Sequence, residues 1–298
     1  MWPVSVVEIL KMTNQRLRRV RKRVIGWGMA RHELTDQQWE RLAPLLPPQK
    51  PHTGRPNKDH RTIINGILWL LRTGAPWRDL PERYGSWKNV ASRFYRWQRA
   101  EIWQHILQGL QQEADTHGTL DWSLHHVDGT IVRAHQHAAG ARRPKDCRHP
   151  DEALGRSQGG FSTKIHLRSE GRGQPITFLI TAGQRHEQSA FEALMETGAV
   201  KRKGRGRPRI RPDRVVGDKG YSSRKIRHYL HRRGIGAVIP RQKRERRTRF
   251  DKIAYRKRNL VERLVNRLKG YRRIATRYEK RAIYYLGMLT IASIVFWL

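Results

Sequence analysis

The stretch Ser123-Leu124-His125-His126-Val127-Asp128-Gly129-Thr130-Ile131-Val132-Arg133-Ala134 decides the fold class of this chain. It opens a region, from residue 120 onward, in which apolar residues come at period two or in short continuous runs bounded by Gly and Pro, the pattern of strands. Further strands are expected at 163–168, 176–181, 214–217 and 236–239. Helices are expected at 187–196, 222–233 and, as one long element, 251–273. Three strands followed by helix, strand, helix, strand and helix describe an α/β sheet with helices on its faces. Residues 140–160, rich in Arg, Pro and Gly, read as a mobile loop between the first two strands.

Upstream, residues 34–113 read as helical. Thr35 offers a cap ahead of Trp39, Leu42 and Leu45, and Pro47-Pro48 stops that helix. Ile64, Ile67, Leu68 and Leu71 recur at helical spacing up to Thr73-Gly74. A compact turn through Trp77-Arg78-Asp79-Leu80-Pro81 and Tyr84-Gly85 reaches Ser86, a cap for a third helix running to about residue 112. On that helix Val90, Phe94 and Trp97 form one stripe, and Lys88, Ser92, Arg96 and Arg99 form another. Two helices joined by a tight turn, the second basic, suit a major groove. An ordinary bundle with a solvated basic face is the alternative.

Composition narrows the partners. The 298 residues hold 62 Lys and Arg against 25 Asp and Glu, a net charge of +37, which marks a binder of polyanions. With 37% hydrophobic residues and ten Trp the chain has the means to fold. The single cysteine, Cys147, excludes an internal disulfide and points to a reducing, cytoplasmic compartment. Residues 1–28 carry a basic run with no apolar stretch after it, so they do not read as a secretory signal; Met29 is the expected translation start. The 16 residues 283–298 fall short of the ~20 that a bilayer needs and read as a buried terminal helix.

Three acids carry the chemistry. Asp128 lies inside the first strand, where a lone carboxylate is costly unless something pairs with it. Asp218 follows Val215-Val216-Gly217 and so stands at the carboxyl edge of a strand, where α/β sheets place their ligands. Glu262 lies on the long helix; at about 100° per residue, Tyr255, Arg258, Glu262 and Lys269 form one polar stripe beside apolar Val261, Leu264, Val265 and Leu268. Carboxylate oxygens are the donors that Mg²⁺ prefers, and a pair of such ions activates one phosphodiester oxygen while neutralising another.

These residues resemble a known family. Tyr255-x-x-Arg258-x-x-x-Glu262-x6-Lys269, with Asp128 and Asp218, is similar to the signature of DDE transposases of bacterial insertion sequences. Leu34-Thr35-Asp36-x-x-Trp39, Trp77-Arg78-Asp79-Leu80-Pro81, Val127-Asp128-Gly129-Thr130, Gly155-Arg156-Ser157-x-Gly159-Gly160, Gly217-Asp218-Lys219-Gly220-Tyr221 and Asn259-x-x-Glu262-Arg263 resemble the insertion-sequence-five family in particular. The resemblance runs from residue 34 to the end. It implies an RNase H-like mixed sheet flanked by helices over 120–298, preceded by an all-α, helix-turn-helix-like DNA-binding domain over 34–115, with 1–33 as a basic extension. It further implies Asp128, Asp218 and Glu262 as a catalytic triad holding two Mg²⁺ ions, for which Mn²⁺ substitutes. Tyr255, Arg258 and Lys269 would contact DNA near the scissile phosphate. The activity implied is cleavage at the element's terminal inverted repeats and joining to target DNA, by at least a dimer. Only about 20 residues separate the fifth strand from the helix of Glu262, which leaves no room for the large inserted β-domain that some relatives carry.

Other features have plainer readings. Arg205-Gly206-Arg207-Pro208 matches the core of an AT-hook, whose arginines enter a narrow minor groove; the alternative is a solvated basic linker that grips phosphates. His125-His126 and His135-x-His137 lack the Cys or acidic partners of a zinc site and read as loop or DNA-contacting residues. Lys164 and His186 stand near the expected centre. A nuclease of the same fold, a non-enzymatic helix-turn-helix regulator and a nucleoid-packing protein remain as rival readings.

Overall fold

The computed structural model describes residues 32–49, 58–139, 152–157, 159–241 and 250–298. The expected start at Met29 and Cys147 lie outside these residues.

The chain opens with α1 (Asp36–Leu42), closed at its N-terminus by a capping box in which Thr35 Oγ1 accepts from the Gln38 amide and the Gln38 side chain accepts from the Thr35 amide. Helix α2 (His60–Thr73) is capped by Asp59 and ends at Gly74 in the left-handed conformation, φ 71°. Residues 74–86 then form two short 3₁₀ turns, a longer connection than the tight turn expected of a helix-turn-helix. Ser86 occupies the cap position of α3 (Trp87–Arg99), but its hydroxyl makes no capping bond. The single helix expected to about residue 112 is two: α3 stops, Glu101 turns left-handed at φ 56°, and α4 (Ile102–Thr116) begins. The bend lets Trp103 pack edge-on against Trp97 with ring centroids 5.0 Å apart, both rings buried. The stripe Val90, Phe94 and Trp97 is buried, and Lys88, Ser92, Arg96 and Arg99 are all exposed.

The sheet comprises β1 (His125–Ala134), β2 (Gly155–Ser157), β3 (Gly160–Ser169) and β4 (Pro175–Ala182), then, after α5 (Phe191–Glu196), β5 (Arg214–Val216). Helix α6 (Arg224–Arg232) leads to β6 (Gly236–Val238). Strand β3 runs antiparallel to β1, and both β2 and β4 pair antiparallel with β3, while β5 and β6 continue parallel on the other side of β1. This is the mixed sheet, flanked by helices, that the RNase H-like expectation describes. Strand β2 falls within 140–160, so the stretch read as a loop contains sheet.

The long helix expected over 251–273 is broken into α7 (Lys252–Arg256), α8 (Asn259–Lys269) and α9 (Arg272–Ala275). Between the first two, the Lys257 and Arg258 amides bond three residues back, to Ala254 and Tyr255, so the α ladder is interrupted. Between the last two, Tyr271 turns extended and buries its ring. After the short β7 (Thr276–Arg277) comes α10 (Ala282–Trp297). Its Tyr285, Met288, Leu289 and Ala292 are fully buried against Leu70 and Leu71 of α2, Phe94 of α3, Ile106 of α4 and Leu264 of α8. The core therefore runs without interruption from the helical region to one face of the sheet. The other face is covered by Phe191 and Leu194 of α5 and Ile226 and Leu230 of α6, packed on Val127 and Val215. Among the described residues no helix is long and apolar enough to cross a membrane.

Candidate active site

Parallel pairing of β1 with β5 sets His125 against Val215 and His126 against Val216. The same register, carried two residues on, puts Asp128 level with Asp218, which sits just past the end of β5 at the start of a 3₁₀ turn, Lys219–Tyr221. Helix α8 packs against β1 and carries Glu262 on its first turn. Between them lies Arg258: its Nη2 is 3.8 Å from Asp128 Oδ1 and its Nη1 donates to Glu262 Oε1 at 2.7 Å. One guanidinium thus faces two acids drawn from distant parts of the chain.

The surroundings of Asp128 oppose its ionisation. Burial is the main cause, and Asp218 and Glu187 add negative charge beside it; Arg258 and the Gly129 amide act the other way, leaving its pKa pushed up to about 6. The Tyr221 phenol, fully buried and without a hydrogen-bond partner, is held well above its ordinary value by burial and by Glu187, Asp128 and Asp218 together. Asp218 Oδ1 is likewise buried and unpartnered.

Glu187 was not legible as a site residue. It opens the 3₁₀ turn that follows β4, and its Oε1 lies 3.5 Å from Lys164 Nζ on β3. A methyl group on Gly220 would meet Asp218 Oδ1 at 3.0 Å and Glu187 Oε2 at 3.1 Å, so these two carboxylates face each other across the space above that glycine. A methyl on Gly129 would meet Glu187 Cγ at 3.0 Å. The glycines that follow Asp128 and Asp218 are therefore the clearance in which the Glu187 carboxylate lies. Gln188 ties the two turns together by donating to the Gly220 carbonyl at 2.7 Å. The available signal was position: Glu187, like Asp218, is an acid at a strand-to-helix junction of the same sheet, in a chain poor in acids.

The other expected residues scatter. The Tyr255 ring leaves the polar stripe and packs edge-on against Phe250, beside Leu124 and Val216, because α7 and α8 are separate helices. Lys269 is exposed two turns beyond Glu262, about 10 Å along the axis. Arg205 and Arg207 are exposed on the loop between α5 and β5. His125 is buried against Trp122, and His186 is exposed.

The arrangement has the donors for a hard divalent cation. All four acids offer carboxylate oxygen, and Asp218 Oδ1 has no other partner. Among the described residues no three His, Cys, Asp or Glu converge as a metal-holding group. Arg258 holds the space between Asp128 and Glu262.

Comparison with known proteins decides the family. A model described as "Transposase DDE domain" matches residues 125–297, more than half of the chain. The chain belongs to the DDE transposase family. A second model, "Putative transposase of IS4/5 family", matches residues 34–107 of this transposase. An uncharacterized protein, y4sN, of Sinorhizobium fredii is 42% identical over 126 residues, 42% of this chain and 96% of that protein. A putative transposase for insertion sequence element IS402 of Burkholderia cepacia is 30% identical over 140 residues, 47% of this chain and 62% of that protein. Among solved structures, the Mos1 strand transfer complex matches over 84% of this chain and 79% of that one at 11% identity, with a TM-score of 0.25. The family's chemistry uses divalent metal ions, and the transposase serves transposition of an insertion sequence.

Proposed function

We propose that this transposase binds the terminal inverted repeats of its own insertion element and catalyses metal-dependent strand cleavage followed by strand transfer into target DNA. The observation that supports the reading is Asp218 beside Asp128, with Arg258 set between Asp128 and Glu262. Asp128, Asp218 and Glu262 would hold two Mg²⁺ ions, or Mn²⁺ in their place. Such ions, when bound, activate an attacking oxygen and neutralise the leaving one. Arg258, released from Asp128 and Glu262, takes up the phosphodiester, a planar donor pair for an anionic partner. Water attacks at the element's end and a 3′-hydroxyl is freed; that hydroxyl then attacks the target phosphodiester in line. Positioning and charge neutralisation supply most of the rate, and no covalent enzyme intermediate is needed.

DNA binding rests on the exposed face of α3, with Lys88, Ser92, Arg96 and Arg99, and on Arg205 and Arg207; Lys269 and Tyr255 extend the contact from the active site. Both element ends must be held together, so a dimer or larger assembly forms on DNA. The test is incubation of purified protein with Mg²⁺, a DNA duplex ending in the repeats that flank the gene, and a target plasmid. Cleavage at the repeat and covalent joining are expected. Cutting without joining would establish a nuclease instead, and equal binding to unrelated DNA would overturn recognition of the ends.

Two further results follow. Gly220→Ala displaces Asp218 and Glu187 by placing a methyl at 3.0 and 3.1 Å from their oxygens; cleavage falls about tenfold or more while the melting temperature moves little, read by cleavage rate and thermal melting. Lys88→Ala with Arg96→Ala removes two phosphate contacts, which lowers the slope of log K against log salt concentration by about 2, read by titrating a labelled repeat at several salt concentrations.

A further inference from the structure

Away from the acids, a cavity of about 770 Å³ opens where the 74–86 connection, the end of α3, the end of β1 and the link from β7 to α10 meet. Asp128 lies near the middle of β1 and His135, on the cavity wall, follows the strand's last residue, Ala134, so about 20 Å of extended chain separates Asp128 from the cavity. It is a separate place.

Its floor is aromatic. Tyr95 and Tyr284 meet edge-on with ring centroids 4.6 Å apart, Trp77 lies 5.8 Å from Tyr95, and Tyr278 completes the lining. Beneath them Arg273 and Glu279 form a buried pair, Nε to Oε1 2.8 Å, with side chains 6% and 2% exposed. Glu279 Oε2 is buried with no hydrogen-bond partner. A buried carboxylate oxygen left without a donor is costly, and Glu279 is among the residues that line the cavity. The rim is cationic: Arg99, Lys280 and Arg281 line the mouth and are exposed.

Flat rings, an acceptor waiting for an N–H and cations at the mouth are complementary to one class of molecule. We propose that this cavity binds a single unstacked nucleotide, its base against the Tyr284 and Trp77 rings with a base N–H on Glu279 Oε2, and its phosphate on Lys280 and Arg99. Stacking of a base on an aromatic side chain tolerates any base, and an aromatic floor with a cationic rim is the general form of single-strand binding. Arg99 also belongs to the basic face of α3, so a strand lying on that face passes the mouth. This source of the nucleotide rests on the DNA binding proposed above; the cavity's chemistry does not, since a free nucleotide carries the same groups.

The experiment uses the full chain in two arms, with wild type, Tyr284→Leu and the surface variant Lys280→Ala, each checked for folding by thermal melting. In the first arm, duplexes carrying the flanking repeat either fully paired or with one extrahelical 2-aminopurine are titrated. We expect the extrahelical base to be bound about tenfold more tightly or better and its emission quenched, with Tyr284→Leu abolishing both effects and leaving the paired duplex unaffected. Lys280→Ala weakens the same preference with the fold intact. In the second arm, dAMP is titrated alone; saturable binding lost in Tyr284→Leu supports the cavity as a free-nucleotide site, even where no duplex binds and the DNA reading fails. Wild type and Tyr284→Leu binding paired duplex, extrahelical duplex and dAMP alike would overturn the proposal.

Discussion

Asp128→Asn lowers strand cleavage by about a thousandfold or more and at the same time raises the melting temperature by a few degrees. The two effects share a cause. Asp128 is held at about 6 by burial first, with Arg258 and the Gly129 amide opposing and Asp218 and Glu187 reinforcing the shift. Its folded-state value therefore lies above the unfolded value of 3.8, and the folded chain binds the proton more tightly. The stability contributed by the protonated form is complete below pH 3.8 and is lost as pH rises through 6, a change on the order of 3 kcal/mol. At pH 7.5 without divalent metal, asparagine keeps the shape and removes the charge that burial disfavours. Arg258 keeps its 2.7 Å partner Glu262 in the variant. Melting curves at pH 7.5 and pH 4 check this: the gain is expected at the higher pH and vanishes at the lower. A variant that cleaves normally would remove Asp128 from the chemistry, and a gain equal at both pH values would contradict the burial argument.

Arg168→Met costs about 3–5 kcal/mol, a large stability loss for a single substitution away from the acids. Arg168 stands on β3 opposite Val127 with no exposed surface. Its Nη1 donates to the Met195 carbonyl at 2.9 Å, and its Nη2 donates to the Thr197 and Gly198 carbonyls at 2.8 and 3.1 Å. These are the carbonyls at and beyond the end of α5, which have no partner within that helix. Burial pulls the guanidinium down to about 10, so it remains charged at neutral pH. Methionine fills similar space but leaves three carbonyls, one buried and two part-buried, without donors. Lysine restores a charge but not the planar fork that reaches all three, so Arg168→Lys recovers only part of the loss. Urea denaturation measures both; a loss under about 1 kcal/mol for Arg168→Met would contradict the argument. Because α5 follows directly on the turn of Glu187, cleavage falls in the same variants.

Most of the architecture was legible because it is written locally. The alternation around Val127 and Val132, the capping signal at Thr35 and the stop at Gly74 depend on neighbours a few residues away, and each element appeared near its expected bounds. Asp128 and Asp218 were legible from their positions, one within a strand and one at a strand's carboxyl edge. Three features needed long-range contact. The break at Glu101 exists because Trp103 packs on Trp97, and the extended turn at Tyr271 because its ring is buried. Tyr255, expected on a polar stripe, follows its own short helix into the cluster around Phe250. Glu187 meets Asp218 only through the pairing of β4, β3, β1 and β5, four strands whose register no local pattern specifies.

Periodicity, caps and charge balance were thus enough to indicate an α/β sheet with helices on its faces, a strongly basic chain, one acid within a strand and one at a strand's end, since each arises from neighbouring residues and the backbone's own geometry. The fourth acid beside the two motif glycines, the guanidinium set between Asp128 and Glu262, and the aromatic cavity over a half-satisfied Glu279 arose from packing. Contacts such as Arg258 with Asp128 and Tyr95 with Tyr284 join residues more than a hundred positions apart, and only burial of one continuous core brings such side chains within reach of each other.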